Sequence, residues 1–375
     1  MRTEDFVAMR PVSADSHVTE PQDCYAPRMD AKYRDKAPRA IDDPVKGATV
    51  LVEGLEPIRV GSAAGISADD LAKPAIRTFD KMHVGGWDAR ARLADMDRDG
   101  VYAEVVYPTV GMVLYLLEDR EFMSACFDGY NRWLQEFCAA VPDRLFGAGQ
   151  TAGRSPKALI KDFENAKAMG FKTIMMPTEP EIADYDDPMY DEAWAAAAEL
   201  NLPLSFHVLT HTKQGQVFHA GVRGSKLNNI MNVIRANQDI LGVMVFGGVF
   251  ERHPNLKVVC VEGDAGWLPH FMHRADHSYE RYAKMLKSTP LSKPPSEYMR
   301  ENVWFTFQDD KSAFDVAHLI NHKQLLWATD FPHTDSTWPH SMRLLGDYTQ
   351  GLDQEIVKDI VHDNVVALYD LKLAA

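Results

Sequence analysis

Positive charge and long apolar runs are both scarce in this sequence of 375 residues. Lysine and arginine total 40 against 54 aspartates and glutamates, which gives a net charge of −14. Such an acidic balance argues against a surface that binds nucleic acid or an anionic membrane. The longest apolar stretch, near Leu241 to Phe250, is too short to span a bilayer. We therefore expect neither a nucleic-acid partner nor a membrane partner.

Cysteine is also rare, and the four residues show no CxxC spacing. They are Cys24, Cys126, Cys138 and Cys260. This distribution excludes a disulfide framework and a zinc ribbon, and it favours a reducing, cytoplasmic location. The N-terminus has no apolar core of signal-peptide length. Because no GxGxxG or P-loop pattern occurs at a strand–helix junction, no nucleotide cofactor is expected.

The sequence does contain an alternation of short apolar runs and longer helical patterns. Eight runs are candidate strands: Val12–Ala14, Tyr102–Val106, Leu145–Ala148, Thr173–Met176, Leu202–Phe206, Lys257–Val261, Val303–Phe307 and Leu325–Ala328. Helical patterns cover Ala89–Asp99, Glu121–Val141, Pro156–Met169 and Pro188–Leu200. Strands that alternate with helices pair in parallel through crossovers. Eight such units predict an α/β fold, the (β/α)8 or TIM barrel.

Two stretches do not fit this alternation. Residues 22–86, after the first strand, are too long for a plain connection, so we interpret them as an insertion that covers one barrel face. Residues 210–224, after the fifth strand, contain three glycines and predict a mobile loop over the site. A single catalytic domain over residues 1–375, with these insertions, is the simplest organisation.

Potential metal ligands follow four of the predicted strands. They are Asp15 and His17 after the first strand, His207 after the fifth, Glu262 after the sixth and Asp330 after the eighth. The carboxyl ends of barrel strands meet at one mouth, so these five side chains are expected to converge. Taken singly, each has an ordinary structural explanation, such as a core histidine or a turn-capping aspartate. Together they predict a metal site, because crowded carboxylates repel one another unless a cation or protons compensate.

Several longer motifs lie around these residues. They are SADSHVTEP (13–21), GWDARARLADMDRDGV (86–101), the histidine at 207, FERHPNLKVV (250–259) and TDFPHTD (329–335). With these motifs the chain resembles the amidohydrolase superfamily, in particular the branch that includes aromatic-acid decarboxylases. The resemblance covers nearly the whole chain and implies a (β/α)8 barrel with a divalent metal. By motif, it assigns Asp15, His17, His207 and Asp330 as metal ligands.

The end of the sixth strand departs from the decarboxylase pattern. Relatives usually carry a histidine there, read as a general acid or base near the metal, whereas this chain has VEGDAGWLP (261–269). Glu262 is the candidate for that position, and it and Asp330 are the candidate catalytic residues. Glu262 has three possible roles: a general base, a ligand of a second metal ion, or an orienting partner of a ligand histidine. If a second ion is present, His211 is a further candidate ligand.

Substrate contacts are predicted at three residues. Arg274 lies five residues after Pro269, where decarboxylase relatives place an arginine that meets the substrate carboxylate; a salt bridge to Asp276 is the alternative. His273 and His333 are the other two candidates, and a helix-surface position is the alternative for His273.

Three functions remain open on these observations. The first is a metal-dependent hydrolase or carboxy-lyase, with zinc, that acts on a small organic substrate, expected to bear a carboxylate. The second is an oxygen-dependent hydroxylase with a dinuclear iron or manganese–iron centre, as in some amidohydrolase-like proteins. The third is a non-catalytic partner subunit. The resemblance also implies a homo-oligomer, or an assembly with a related barrel subunit.

Overall fold

The computed structural model describes residues 2–73, 76–212, 227–231 and 233–374. The strands in this part of the chain are β1 (Val12–His17), β2 (Arg39–Asp43), β3 (Gly47–Leu51), β4 (Ile58–Arg59), β5 (Ala103–Tyr107), β6 (Leu145–Gln150), β7 (Thr173–Met176), β8 (Leu204–His207), β9 (Val258–Val261), β10 (Val303–Phe307) and β11 (Leu325–Trp327).

The α-helices are α1 (Thr3–Ala8), α2 (Ala68–Ala72), α3 (Ala89–Asp99), α4 (Val110–Val113), α5 (Arg120–Ala139), α6 (Pro156–Ala168), α7 (Asp191–Glu199), α8 (Leu227–Ile230), α9 (Val233–Phe246), α10 (Val249–Arg252), α11 (Leu268–Leu286), α12 (Pro295–Asn302), α13 (Lys311–Asp315), α14 (Ser341–Tyr348), α15 (Gln354–Lys358) and α16 (Asn364–Tyr369). Short 3-10 helices occur at Ala26–Arg28, Ala31–Lys36, Phe79–Lys81, Val84–Gly86, Leu114–Leu116, Pro188–Tyr190, Ala317–Leu319 and His322–Gln324. A π-helical segment, Asp359–Asp363, joins α15 to α16. None of the described helices is both long enough and apolar enough to cross a membrane.

Eight of the strands form one parallel sheet in the order β1-β5-β6-β7-β8-β9-β10-β11. The two end strands meet, since the Asp330 amide donates to the Asp15 carbonyl at 3.0 Å and the His17 amide donates to the Phe331 carbonyl at 2.7 Å. The sheet is therefore a nearly closed barrel, and the predicted α/β barrel is confirmed. All eight predicted strands are present, with boundaries within three residues of the predicted ones.

The barrel strands are buried on both faces because one face lines the barrel interior and the other packs under the helices. Every residue of β5, β6, β7, β8 and β9 is buried. The long outer helices α5 and α6 pack their apolar faces on this sheet, and each begins at a capping side chain, Asp119 and Ser155 respectively. The predicted helix over 188–200 begins instead as a 3-10 turn, with the α-helix starting at Asp191.

The long segment between β1 and α3 contains a three-stranded antiparallel sheet, in the order β2-β3-β4. After this sheet, the segment runs along the loop that follows β11. There the Ala64 amide donates to the Pro332 carbonyl at 3.0 Å, and the Thr334 hydroxyl donates to the Gly61 carbonyl at 2.7 Å. The segment therefore lies at the carboxyl end of the barrel. Most of the predicted loop 210–224 lies outside the described residues.

Helix α3 offers a test of local stability. The Asp88 carboxylate accepts hydrogen bonds from the amides of Arg90 and Ala91, both at 2.9 Å, and so caps the helix. We expect Asp88→Ala to lower the free energy of unfolding by about 1 kcal/mol, measured by urea denaturation. Arg90→Ala, at an exposed position of the same helix, is the control and should change it by less than about 0.5 kcal/mol. Equal losses in the two variants would contradict the capping role.

Candidate metal centre

Four strand ends supply the polar side chains at the barrel mouth. Asp15 and His17 lie in the second half of strand β1, and His207 is the final residue of β8. Glu262 directly follows β9, and Asp330 follows β11. All five are largely or wholly buried. Glu262 and Asp330 have φ values of 58° and 56°, in the left-handed region that non-glycine residues seldom adopt. Such strain persists where the surrounding structure holds it, and it turns both carboxylates towards the mouth.

A bulge in β1 sets the direction of Asp15. Ser13 pairs with Glu104 of β5 and Ser16 pairs with Val106, so β1 contains one more residue than β5 between the two pairs. A bulge of this kind changes which face the following side chains occupy. As a result the Ser13 and Ser16 hydroxyls lie on one side, 2.9 Å apart, although the two residues are three positions apart.

The ligand atoms of this group converge. His17 Nε2 lies 3.4 Å from Asp15 Oδ1 and 3.3 Å from Asp330 Oδ1. His207 Nε2 lies 3.7 Å from Asp15 Oδ1 and 3.5 Å from Glu262 Oε2, and the two Nε2 atoms are 3.3 Å apart. One ligand atom from each of Asp15, His17, His207 and Glu262 lies within 4.8 Å of all the others, and the same holds for His17, Asp330 and His333.

Backbone carbonyls fix the orientation of both imidazoles. His17 Nδ1 lies 2.8 Å from the Pro108 carbonyl oxygen, and His207 Nδ1 lies 2.8 Å from that of Val208. A carbonyl oxygen only accepts, so each Nδ1 carries the hydrogen. In the neutral form of each ring, Nε2 therefore has its lone pair directed at the other ligand atoms, which is the arrangement found for metal-binding histidines.

The carboxylates of the site lack the partners that burial normally demands. Among the described residues, no hydrogen bond reaches either carboxylate oxygen of Asp15 and Asp330 or Oε2 of Glu262, whose close polar contacts are with the imidazoles of the site. Buried charged oxygens without partners carry a large desolvation cost. A divalent cation would supply the missing interactions, and oxygen and imidazole donors of this kind fit such an ion.

The ionisable groups of the metal-free site have strongly shifted pKa values, some raised and some lowered. Burial and the charges of neighbouring carboxylates raise the pKa of Asp330 to about 8 and that of Glu262 well above its usual range. Burial opposes charge on His207, yet the Asp15 carboxylate raises its pKa to about 9. Burial likewise opposes charge on Asp15, whose pKa is nevertheless held well below its usual range by His207 and His17. Burial and the nearby His333 lower the pKa of His17 to about 4, so this imidazole is neutral.

His333, predicted as a substrate contact, lies directly against the proposed metal ligands His17 and Asp330. Its ring stacks on His17 with the centroids 3.9 Å apart, and its Nδ1 lies 2.8 Å from Asp330 Oδ1. Its Nε2 lies 2.9 Å from the hydroxyl of Thr109, whose own proton is donated to the Val18 carbonyl at 2.5 Å. His333 is therefore held in place between Asp330 and the loop that follows β5.

The other candidates predicted from the sequence lie outside this group. His211 has its Nδ1 2.9 Å from Glu179 Oε1 and is absent from both clusters of converging ligand atoms among the described residues. Arg274 and His273 are exposed on helix α11. Asp276, the alternative partner of Arg274, instead accepts hydrogen bonds from the Ser296 amide and hydroxyl. Roles for His211, Arg274 and His273 stay predictions.

Sequence reasoning missed the buried charges that surround the site. Glu20 accepts hydrogen bonds from the amides of Thr109, Val110 and Gly111, at 2.9 to 3.1 Å, and burial raises its pKa to about 7. Arg92 and Glu104 form an ion pair with both side chains at most 2% exposed. Glu20 lies within the motif 13–21 and Arg92 within the motif 86–101. Their position in these motifs is the feature of the sequence that could have indicated a role near the site.

Comparisons with known proteins agree with this architecture. The chain is 21% identical over 253 residues to 2-amino-3-carboxymuconate-6-semialdehyde decarboxylase of Dictyostelium discoideum, with 66% of this chain and 67% of that protein covered. Among solved structures it is similar to an amidohydrolase of Mycobacterium avium subsp. paratuberculosis, with a TM-score of 0.78, 21% identity and coverage of 96% and 99% of the two chains.

A second solved structure, 5-carboxyvanillate decarboxylase of Novosphingobium aromaticivorans in complex with manganese and 4-hydroxy-3-methoxy-5-nitrobenzoic acid, gives a TM-score of 0.63 at 20% identity, with 75% of this chain and 79% of that chain covered. The family model described as Amidohydrolase matches residues 17–371, which is nearly the whole chain. The resemblance carried by the sequence motifs is thus confirmed, and the chain belongs to the amidohydrolase family.

Proposed function

We propose that this protein is a metal-dependent carboxy-lyase that acts on a small aromatic or unsaturated carboxylic acid, with a hydrolase reaction as the close alternative. The observation that carries the proposal is the convergence of two imidazoles with buried carboxylates at the barrel mouth. Among the described residues, the oxygens of these carboxylates accept no hydrogen bond. Relatives on the same fold are decarboxylases of carboxylated organic molecules, which supports a carboxylic acid as substrate.

The proposed ligands are Asp15, His17, His207 and Asp330. Their donor set, two imidazole nitrogens and two carboxylates, fits zinc or manganese. A divalent ion bound here would polarise a substrate oxygen and hold the substrate at the mouth. The backbone carbonyls of Pro108 and Val208 keep both imidazoles in the tautomer that leaves Nε2 free for this task.

Proton transfer is the second requirement of the reaction. When a carboxylate leaves as carbon dioxide, the electron pair of the broken carbon–carbon bond stays on the ring carbon, which must then accept a proton. Glu262 is the candidate for the position where relatives carry a histidine, and burial and the neighbouring Asp330 carboxylate raise its pKa well above its usual range. We assign Glu262, with Asp330 as the alternative, to hold and deliver this proton.

One observation favours a second candidate function. Glu262 Oε2 lies 3.5 Å from His207 Nε2 and belongs to the converging group, so a third carboxylate is available for metal binding. A carboxylate-rich set of this kind also suits a dinuclear iron or manganese–iron centre. The protein would then be an oxygen-dependent hydroxylase, with two metal ions per chain and oxygen uptake in the presence of substrate.

Removing one proposed ligand should remove the metal and the activity together. We expect His207→Ala to lose at least about 90% of the bound metal, measured by elemental mass spectrometry, and to lose turnover in parallel. His277→Ala, at an exposed histidine of α11, is the matched control and should retain both. Full metal content in folded His207→Ala would contradict the ligand assignment.

Glu262→Gln separates the two candidate functions. If Glu262 carries the proton, the metal content of one ion per chain is unchanged and kcat falls by about a hundredfold or more. If Glu262 binds a second ion, the metal content of the unsubstituted chain is close to two and falls by half in the variant. Glu280→Gln, at an exposed position of α11, controls for the loss of a surface charge.

Metal binding should also depend on pH in a defined direction. At pH 7 the metal-free site keeps protons on Asp330 and His207, whose pKa values are raised to about 8 and about 9, and binding must displace them. The affinity for Mn²⁺ is therefore expected to increase as the pH rises from 6 to 9.

The metal-free protein should lose stability over the same range. Its folded state binds these protons more tightly than the unfolded chain does, so a rise in pH towards 9 favours unfolding. The difference in Tm between metal-loaded and metal-free protein should therefore increase from pH 6 to pH 9, measured by differential scanning calorimetry. A difference that shrinks with rising pH would contradict this assignment of the protons.

A further inference from the structure

The side chain of Arg92 lies fully buried beneath the mouth of the barrel. Its exposed fraction is 0%, which is unusual for arginine. Its Nη1 donates to the His17 carbonyl at 2.7 Å and to the Gly85 carbonyl at 3.2 Å, and its Nη2 donates to the Phe331 carbonyl at 3.2 Å. With the Nε bond to Glu104, four of its five N–H groups have partners.

These acceptors belong to the backbone of the proposed metal centre. His17 is itself a ligand at the end of β1, and Phe331 directly follows the ligand Asp330 after β11. The guanidinium therefore joins the two strand ends on which three of the four proposed ligands lie. Its planar fork fixes the distance and angle between the two carbonyls, which a flexible side chain with a single donor atom would not.

Glu104 extends this connection to the middle of β1. The carboxylate binds Arg92 through Oε2, and Oε1 accepts a hydrogen bond from the Ser16 hydroxyl at 3.3 Å. Ser16 lies between the ligands Asp15 and His17, and its hydroxyl is also 3.1 Å from the Thr329 hydroxyl. Thr329 in turn directly precedes the ligand Asp330. The ion pair is thus hydrogen-bonded to the chain on both sides of the junction between β1 and β11.

A buried ion pair contributes little net stability relative to apolar residues of similar volume, because both charges lose their hydration. A contribution to fold stability is therefore a weak explanation for an arginine and a glutamate at this place. What the pair does provide is a fixed geometry at the junction where the barrel closes.

We propose that Arg92 and Glu104 are positioning residues that set the affinity of the site for its metal ion, by holding the β1 ligands and the β11 ligand at a fixed separation. The proposal rests on the proposed metal centre. It assigns no contact between either side chain and substrate or metal; both act through the backbone of His17 and Phe331 and through the Ser16 hydroxyl.

The test is a Co²⁺ titration of metal-free protein, with dissociation constants from calorimetry and the shape of the visible absorption band as a measure of coordination geometry. The variants are Arg92→Lys, which keeps the charge but has three N–H donors on one nitrogen, and Glu104→Gln, which keeps the volume of the side chain. Arg90→Lys, on the exposed face of the same helix, is the matched control. Circular dichroism and Tm establish that each variant is folded.

We expect Arg92→Lys and Glu104→Gln to raise the dissociation constant by about tenfold to a hundredfold and to change the absorption band, while Arg90→Lys changes neither. A folded Arg92→Lys variant with unchanged affinity and band overturns the proposal, even if its Tm is lower, since that result describes a structural role alone. If Arg92→Lys does not fold, Glu104→Gln decides by the same criteria. If the unsubstituted chain binds no Co²⁺, the proposed metal centre itself is wrong and this inference falls with it.

Discussion

The mouth of this barrel depends on the mutual repulsion of carboxylates that are buried side by side. Asp15, Glu262 and Asp330 lie around two imidazoles with few hydrogen-bond donors directed at them. Without a cation, bound protons would reduce this repulsion, and the pKa values of Asp330 and His207 are raised to about 8 and about 9. Metal binding and proton binding therefore compete for the same atoms.

The ends of the barrel strands could be predicted from the sequence because each is marked by a pattern of a few consecutive residues. A short apolar run followed by a polar residue indicates a strand that ends at the mouth, and this pattern in the sequence predicts the positions of Asp15, His207, Glu262 and Asp330. The parallel order of the strands then required these residues to meet. The boundaries of helices depend on tertiary packing as well, and at Pro188 the first turn is 3-10 rather than α-helical.

The residues that support the site were not predictable in the same way. Arg92 occurs in an amphipathic helix among other charged residues, where an exposed position is the usual outcome for arginine. Its burial follows from the meeting of α3 with the ends of β1 and β11, and partners 75 and 239 positions away leave no periodic pattern in the sequence. The exposed positions of Arg274 and His273 on α11 depend in the same way on packing that local patterns do not describe.

The bulge in β1 has a consequence for how members of this fold can diverge. With the extra residue between Ser13 and Ser16, the serine hydroxyls of β1 face the junction with β11 and the ligand side chains face the mouth. The loss or gain of one residue would exchange these two sets of side chains. A change in the length of β1 would therefore disturb both sets at once, whereas a substitution in β1 alters a single side chain. The small sheet β2-β3-β4, in the segment between β1 and α3, is separate from the strands that carry these side chains. Evolution of new substrate ranges is thus expected through insertions there, while β1 keeps a constant length.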